Sequence, residues 1–217
     1  MERQSTMSPQ AFAEALTVSR ETLARLCCYG TLLKKWQKKI NLVGADTLSD
    51  LWRRHMLDSA QLLASVNALE TKNPVIFDLG SGAGFPGMVL AIMGAGEVHL
   101  VESDQRKCAF LGEVARETGT TLAIHDSRAE NLSSRPVDIV TARALAPLHK
   151  TLGYAELLLG DKTVCFFLKG RHAREELTQA SKKWNMRVEN IQSLSSPSGT
   201  ILRIDHLARR PSGKRNK

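Results

Sequence analysis

Four glycines, Gly80, Gly82, Gly84 and Gly87, follow directly on the apolar run Val75-Ile76-Phe77-Asp78-Leu79. Such a run reads as a buried strand, a tight turn and the start of a helix, with glycines that let the backbone approach a ligand where a side chain would block it. Helix N–H groups then point at negative charge, so a nucleotide-like cofactor is the natural occupant. Asp78 stands two residues before the first glycine and gives Asp-x-Gly-x-Gly-x-Gly, the form seen where S-adenosylmethionine (SAM) sits with its amino-acid end near the turn. Glu102 closes the next apolar run, Val98-His99-Leu100-Val101, about 20 residues after the first glycine, where a carboxylate can take both ribose hydroxyls. Gly82-x-Gly84-x-x-Gly87 also satisfies the dinucleotide pattern of dehydrogenases, so a dinucleotide-dependent oxidoreductase is a rival that NADH against SAM binding separates.

Other methyl-transfer devices are missing. The place after the fourth apolar run reads Thr141-Ala142-Arg143-Ala144-Leu145, with none of the Asn/Asp-Pro-Pro-aromatic tetrapeptide used on exocyclic amines. Cys27, Cys28 and Cys108 lie in helical patterns and Cys165 inside a strand pattern, where a packed thiol is inert rather than nucleophilic. Their spacing suits no metal.

The elements that must hold these residues fall into two parts. Ser8-Pro9 reads as an N-cap with proline in the first turn, and Ser19 opens a second helix. A third helix is expected over residues 47–65, with Leu48, Leu51, Trp52, Leu62 and Leu63 inward. Beyond it, strand patterns at 75–79, 97–102, 121–125, 137–141, 163–169, 186–194 and 200–206 are spaced for crossover helices among the first five and for a hairpin between the last two. The expected fold is α/β, a doubly wound seven-stranded class I SAM-dependent methyltransferase (Rossmann-like) sheet with an antiparallel C-terminal hairpin. Residues 1–72 form a helical extension, 73–207 the cofactor domain and 208–217 a basic tail expected to be disordered without RNA.

The chain has 217 residues, of which 42% are hydrophobic and 24% charged, an ordinary globular balance with no membrane span. The start of the chain shows no secretory signal and the cysteines suggest a reducing, cytoplasmic location. Thirty Lys and Arg against 22 Asp and Glu leave a charge of +8, which favours a polyanionic partner such as nucleic acid.

Arg54-His55-x-x-Asp58-Ser59, the Asp78–Gly87 loop with its Phe85-Pro86, Val101-Glu102-Ser103, Ser127-Arg128-Ala129-Glu130, Ala142-Arg143-Ala144 and Lys169-Gly170 together resemble the RsmG (GidB) family of small-subunit rRNA guanine-N7 methyltransferases. The resemblance runs from Lys38 to Ile204. It implies methyl transfer to N7 of one guanine in 16S RNA, near the decoding centre, with SAM as cofactor, the 16S rRNA of the small ribosomal subunit as partner and no membrane. The family pattern places SAM against Gly80 and Phe85, Ala129 and Glu130, and Arg143. Arg143 can grip the cofactor carboxylate or a substrate phosphate. His55 and Asp58 have two readings, facing the cleft as functional groups or fixing the helical part to the sheet. Lys169 at the end of the fifth strand pattern, Arg171 just after it, and Arg209 and Arg210 near the end are candidates for RNA phosphate. The catalytic set is Arg143, His55 and Asp58, with no metal, in a monomer. A small-molecule methyltransferase is the other rival; it would keep the cofactor site without depending on RNA.

Overall fold

A computed structural model describes residues 6–211. Helix α1 (Pro9–Leu16) begins where Ser8 Oγ accepts the Ala11 N–H at 3.1 Å, and α2 (Arg20–Gln37) where Ser19 Oγ accepts that of Thr22 at 3.1 Å. Both are side-chain caps on otherwise orphaned donors.

The third helix expected over 47–65 is not one helix. A 3₁₀ turn (Ala45–Asp50) is followed by a π-wound turn (Trp52–Leu57), then α3 (Asp58–Ala60) and α4 (Leu62–Asn67). The wider winding carries His55 towards the sheet edge while Met56 and Leu57 stay in the core, a local distortion that packing imposes and helix periodicity does not contain.

Seven strands form one sheet, β1 (Val75–Leu79), β2 (Glu97–Glu102), β3 (Ala123–Asp126), β4 (Ile139–Arg143), β5 (Val164–Lys169), β6 (Trp184–Gln192) and β7 (Thr200–Arg209), in the order β3-β2-β1-β4-β5-β7-β6. The first five are parallel, and β7 runs antiparallel to both β5 and β6. Helices α5 (Gly87–Ile92), α6 (Gln105–Thr118) and α7 (Leu148–Ala155) cross over from β1 to β2, β2 to β3 and β4 to β5, and α8 (Ala173–Ala180) leads into β6, whereas β3 and β4 are joined through a 3₁₀ turn (Ala129–Asn131) in place of the expected crossover helix.

Strand ends shift by two or three residues where long-range bonds compete. Val137 lies outside the ladder because its N–H donates to Leu158 O at 3.0 Å. Ser193 and Leu194 leave β6 to meet Gln61. At the other end, β7 runs three residues past 206 and pairs Arg209 with Trp184. Residues 208 and 209 are therefore strand rather than tail, while Lys214, Arg215 and Lys217 lie outside the described residues.

Because side chains alternate across a strand, Ile76 and Phe77 feed opposite cores. On one face Ile76, Ile139 and Phe166 bury with Phe12, Leu26, Tyr29 and Leu33 of α1 and α2, so the helical part and the sheet share a single cluster. The other face packs Phe77, Val140 and Phe167 against α7 and Trp184. Among the described residues no helix is long and apolar enough to cross a membrane.

Candidate active site

The carboxyl ends of β1, β2, β4 and β5 bring Gly80, Glu102, Arg143 and Lys169 to one edge of the sheet, where open α/β sheets take ligands. Two cavities lie there. The smaller, about 300 Å³, is walled by Gly80, Glu102, Lys107, Ala129, Glu130 and Leu145. The larger, about 640 Å³, is walled by Arg54, His55, Asp58, Arg143, Lys169 and the turn between β6 and β7. Ala144 borders both, so the β4–α7 loop is the partition. Ala144 sits at φ +52°, a left-handed conformation unusual for a residue with a Cβ and often kept at functional sites.

The Glu102 carboxylate is fixed by three backbone donors, each at 2.8 Å: Gly82 N–H to Oε2, and the Ser103 and Asp104 N–H groups to Oε1. Its carboxylate is thus held rigid at the wall of the smaller cavity. Gly82, at φ +58°, has open space where a Cβ would stand, the nearest atom being Gly80 O at 3.8 Å.

Three residues expected to touch the cofactor are turned inward. Asp78 is fully buried; it accepts from Thr141 Oγ1 at 2.8 Å and from Gly87 N–H at 3.2 Å, and borders neither cavity. Burial raises its carboxyl to about 6 against the opposing pull of those hydrogen bonds. Asp78 is thus a brace of the glycine loop. Gly84 points its missing side chain at Met88, Tyr29 and Leu111, so it admits core packing instead of a ligand. The Phe85 ring is buried between Tyr29, at 5.2 Å between centroids, and His55, at 4.9 Å. At Gly80 (φ +63°) the space a Cβ would need is filled by Leu145.

Arg143, His55 and Asp58 come together. Arg143 Nη2 donates to His55 Nδ1 at 2.8 Å, and Nη1 reaches Asp58 Oδ2 at 3.2 Å and the Arg54 carbonyl at 3.1 Å. The guanidinium lies 4.9 Å from the centre of the Phe85 ring, a cation–π arrangement. Since a guanidinium only donates, His55 Nδ1 must accept, which leaves its proton on Nε2 to donate to Thr47 Oγ1 at 2.8 Å. The Thr47 hydroxyl in turn donates to Gly44 O at 2.7 Å. Burial first, then Arg143 and Arg54, pushes the His55 imidazole down to about 3. Asp58 also accepts from Ser195 Oγ at 2.5 Å and Gln61 Nε2 at 3.2 Å. The two groups line the larger cavity and at the same time tie the helical part, β4 and the hairpin together. Ser59, the last residue of the same motif, is buried and donates to His55 O at 2.7 Å.

Of the cationic candidates, Lys169 faces inward. Its Nζ donates to Ala146 O at 2.9 Å and pairs with Glu176 Oε2 at 2.8 Å, and Glu176 also accepts the Leu148 N–H at 2.6 Å. This clasp fixes the partition loop. Arg171 is exposed. Arg209 pairs with Glu156 at 2.6 Å and covers the Trp184 ring at 4.8 Å, and Arg210 donates to Trp184 O at 3.3 Å, so neither belongs to a free tail. Sequence reasoning did not find Thr47, Gln61, Glu176 or Ser195; nothing in their local pattern marks them.

A family profile described as rRNA small subunit methyltransferase G matches residues 22–202. The protein named ribosomal RNA small subunit methyltransferase G from Rhodospirillum rubrum is 56% identical over 205 residues, covering 94% of this chain and 100% of that one. Its namesake from Paramagnetospirillum magneticum is 51% identical over 203 residues, covering 94% and 98%. Among solved structures, a SAM-dependent methyltransferase from Aquifex aeolicus superposes with a TM-score of 0.55 at 15% identity, covering 73% of this chain and 95% of the other. A fibrillarin/Nop5p complex gives 0.53 at 15% identity, over 70% and 81%.

Proposed function

The chain belongs to the rRNA small subunit methyltransferase G family, and we propose that it methylates N7 of one guanine in the 16S rRNA of the small ribosomal subunit, near the decoding centre. The observation that carries the reading is the pair of cavities meeting at Ala144, one walled by the fixed Glu102 carboxylate and the other by a closed Arg143–His55–Asp58 network.

The smaller cavity fits the nucleoside end of SAM in size and donor set. Glu102 would take the ribose hydroxyls, while Ala129 and Glu130 would flank the adenine. SAM, when bound, supplies the methyl group as an electrophile. Gly82, with its open Cβ direction, and the left-handed turn at Gly80 shape the loop beside it.

Guanine N7 presents a lone pair and loses no proton on methylation, so the protein's work is alignment and exclusion of water. The network agrees with that demand. His55 is held neutral with its acceptor nitrogen already taken by Arg143, and Asp58 is occupied by Arg143 and Ser195. Neither is poised as a base. Asp58 also offsets the Arg143 charge, which leaves the wall tolerant of a cationic product. The β4–α7 loop, held by Lys169 and Glu176, fixes the edge at which the two cavities meet, where methyl and N7 would have to come into contact. We place this activity in the cytoplasm, carried by a monomer.

Mapping N7-methylguanine by chemical cleavage of 16S RNA from cells with and without this protein tests the reading. Cleavage at one guanine that disappears on deletion, and returns when purified protein and SAM are added to small subunits, is expected. Unchanged cleavage would refute it.

A further inference from the structure

We propose that Leu194 is a wedge for RNA, inserting into the base stack beside the guanine that enters the larger cavity and filling the gap it leaves. The proposal rests on the reading of the substrate as an RNA guanine. Leu194 is 65% exposed, alone among the large apolar side chains of the described residues. A lone exposed leucine is ordinary on a surface; this one is set apart by its mounting and its position.

Its two neighbours, Ser193 and Ser195, are buried. The Leu194 N–H donates to Gln61 Oε1 at 2.7 Å, Gln61 Nε2 donates to Ser193 Oγ at 3.2 Å, and Ser195 Oγ donates to Asp58 at 2.5 Å. The hairpin tip is thereby clamped to the helical part on both sides of the leucine, so inserting it into a ligand requires little further ordering of backbone. Ser193, Ser195 and Ser196 line the larger cavity, so the backbone that carries Leu194 runs along its wall while the leucine side chain projects outward to solvent.

Enzymes that work on a base take it out of the stack, and leucine is among the apolar side chains that nucleic-acid-binding proteins push between bases. Exposed Arg54 walls the larger cavity, exposed Arg171 lines an adjoining pocket that shares Gly170, Glu176 and Ser198 with it, and both suit phosphate. A protein partner would need a contiguous apolar patch, whereas no other large apolar side chain is exposed among the described residues and the turn around Leu194 is serine-rich in sequence.

The test uses the full chain with Leu194→Ala and Leu194→Met, assayed on deproteinised small-subunit RNA and on intact small subunits from cells lacking the enzyme. Chemical probing of the bases flanking the target, with S-adenosylhomocysteine in place of SAM, reports their unstacking. Leu194→Ala should lose about tenfold in kcat/KM with unchanged cofactor affinity, and should lose the raised reactivity that wild type produces in the flanking bases. Leu194→Met should restore both. Activity of Leu194→Ala within about twofold of wild type on both substrates overturns the wedge. So does a loss unaccompanied by any change at the flanking bases, or one confined to intact subunits, which would mark a ribosomal-protein contact. Wild-type enzyme that methylates no RNA guanine would instead overturn the substrate reading, and the wedge with it.

Discussion

Replacing Arg143 by methionine should make His55 a titrating group. Methionine keeps apolar contact with Phe85 but removes the guanidinium that donates to Nδ1 at 2.8 Å and pairs with Asp58 at 3.2 Å. In the wild-type fold His55 holds at about 3, while an unfolded histidine protonates near 6.5. The depressed folded value means that only the unfolded chain binds a proton between those limits. Stability is therefore fully present above about 6.5 and falls as pH drops, by about 1.4 kcal/mol per unit, with a ceiling of roughly 5 kcal/mol by pH 3. In Arg143→Met the slope should shorten, because the His55 midpoint rises. It should remain below 6.5, since burial is the largest cause and survives the substitution. At neutral pH the variant should also lose about 2 to 3 kcal/mol from leaving Asp58 and Nδ1 short of a donor. That is less than for a fully buried pair, because the two side chains keep 17% and 18% exposure. Histidine ring resonances followed from pH 4 to 8, assigned through His55→Asn, and urea unfolding at the same pH values read both quantities. Wild-type His55 titrating near 6.5, or a titration unmoved by Arg143→Met, would refute the account of the network.

Gly80→Ala should unfold the loop and abolish SAM binding, because it adds left-handed strain of about 1 to 2 kcal/mol and displaces Leu145; Gly82→Ala should show the strain in its melting temperature with no core clash, and calorimetry compares their cofactor affinities. Lys169→Met should lower kcat while leaving the salt slope of RNA binding unchanged, since its ammonium is used internally by Ala146 and Glu176, whereas Arg171→Ala should reduce that slope by about one; filter binding across a salt series decides between them. For Asp78 the folded value is raised, so the unfolded chain loses its proton first and stability falls as pH rises from about 4 to 6, by about 3 kcal/mol in all; Asp78→Asn should flatten that span in a urea titration, and an unchanged slope would show that Asp78 is not the buried acid responsible.

What the sequence makes legible is what local chemistry decides. Ser8 and Ser19 cap their helices through donors three residues on, and the apolar runs before Gly80 and through Glu102 become adjacent parallel strands. The direction a side chain takes is another matter. Asp78 looks like a ligand acid because it precedes glycines, yet the bonds that claim it come from Thr141 and Gly87, one of them sixty-three residues away. The π-wound turn is hidden for the same reason, since its His55 is held by Arg143 and Thr47 instead of by helix periodicity. Arg209 reads as tail because only the pairing of β7 with Trp184 and the ion pair with Glu156 show that it is not.

The hairpin between β6 and β7 reaches back to Asp58 and Gln61 across 137 and 133 residues of sequence. As the chain leaves the ribosome, Gly80, Glu102 and Ala129 have all emerged while Ser195 is still unmade. The wall that the hairpin gives the larger cavity is consequently the last part of the site to be built, and a chain interrupted before β6 retains the residues around the smaller cavity with nothing to close the larger one.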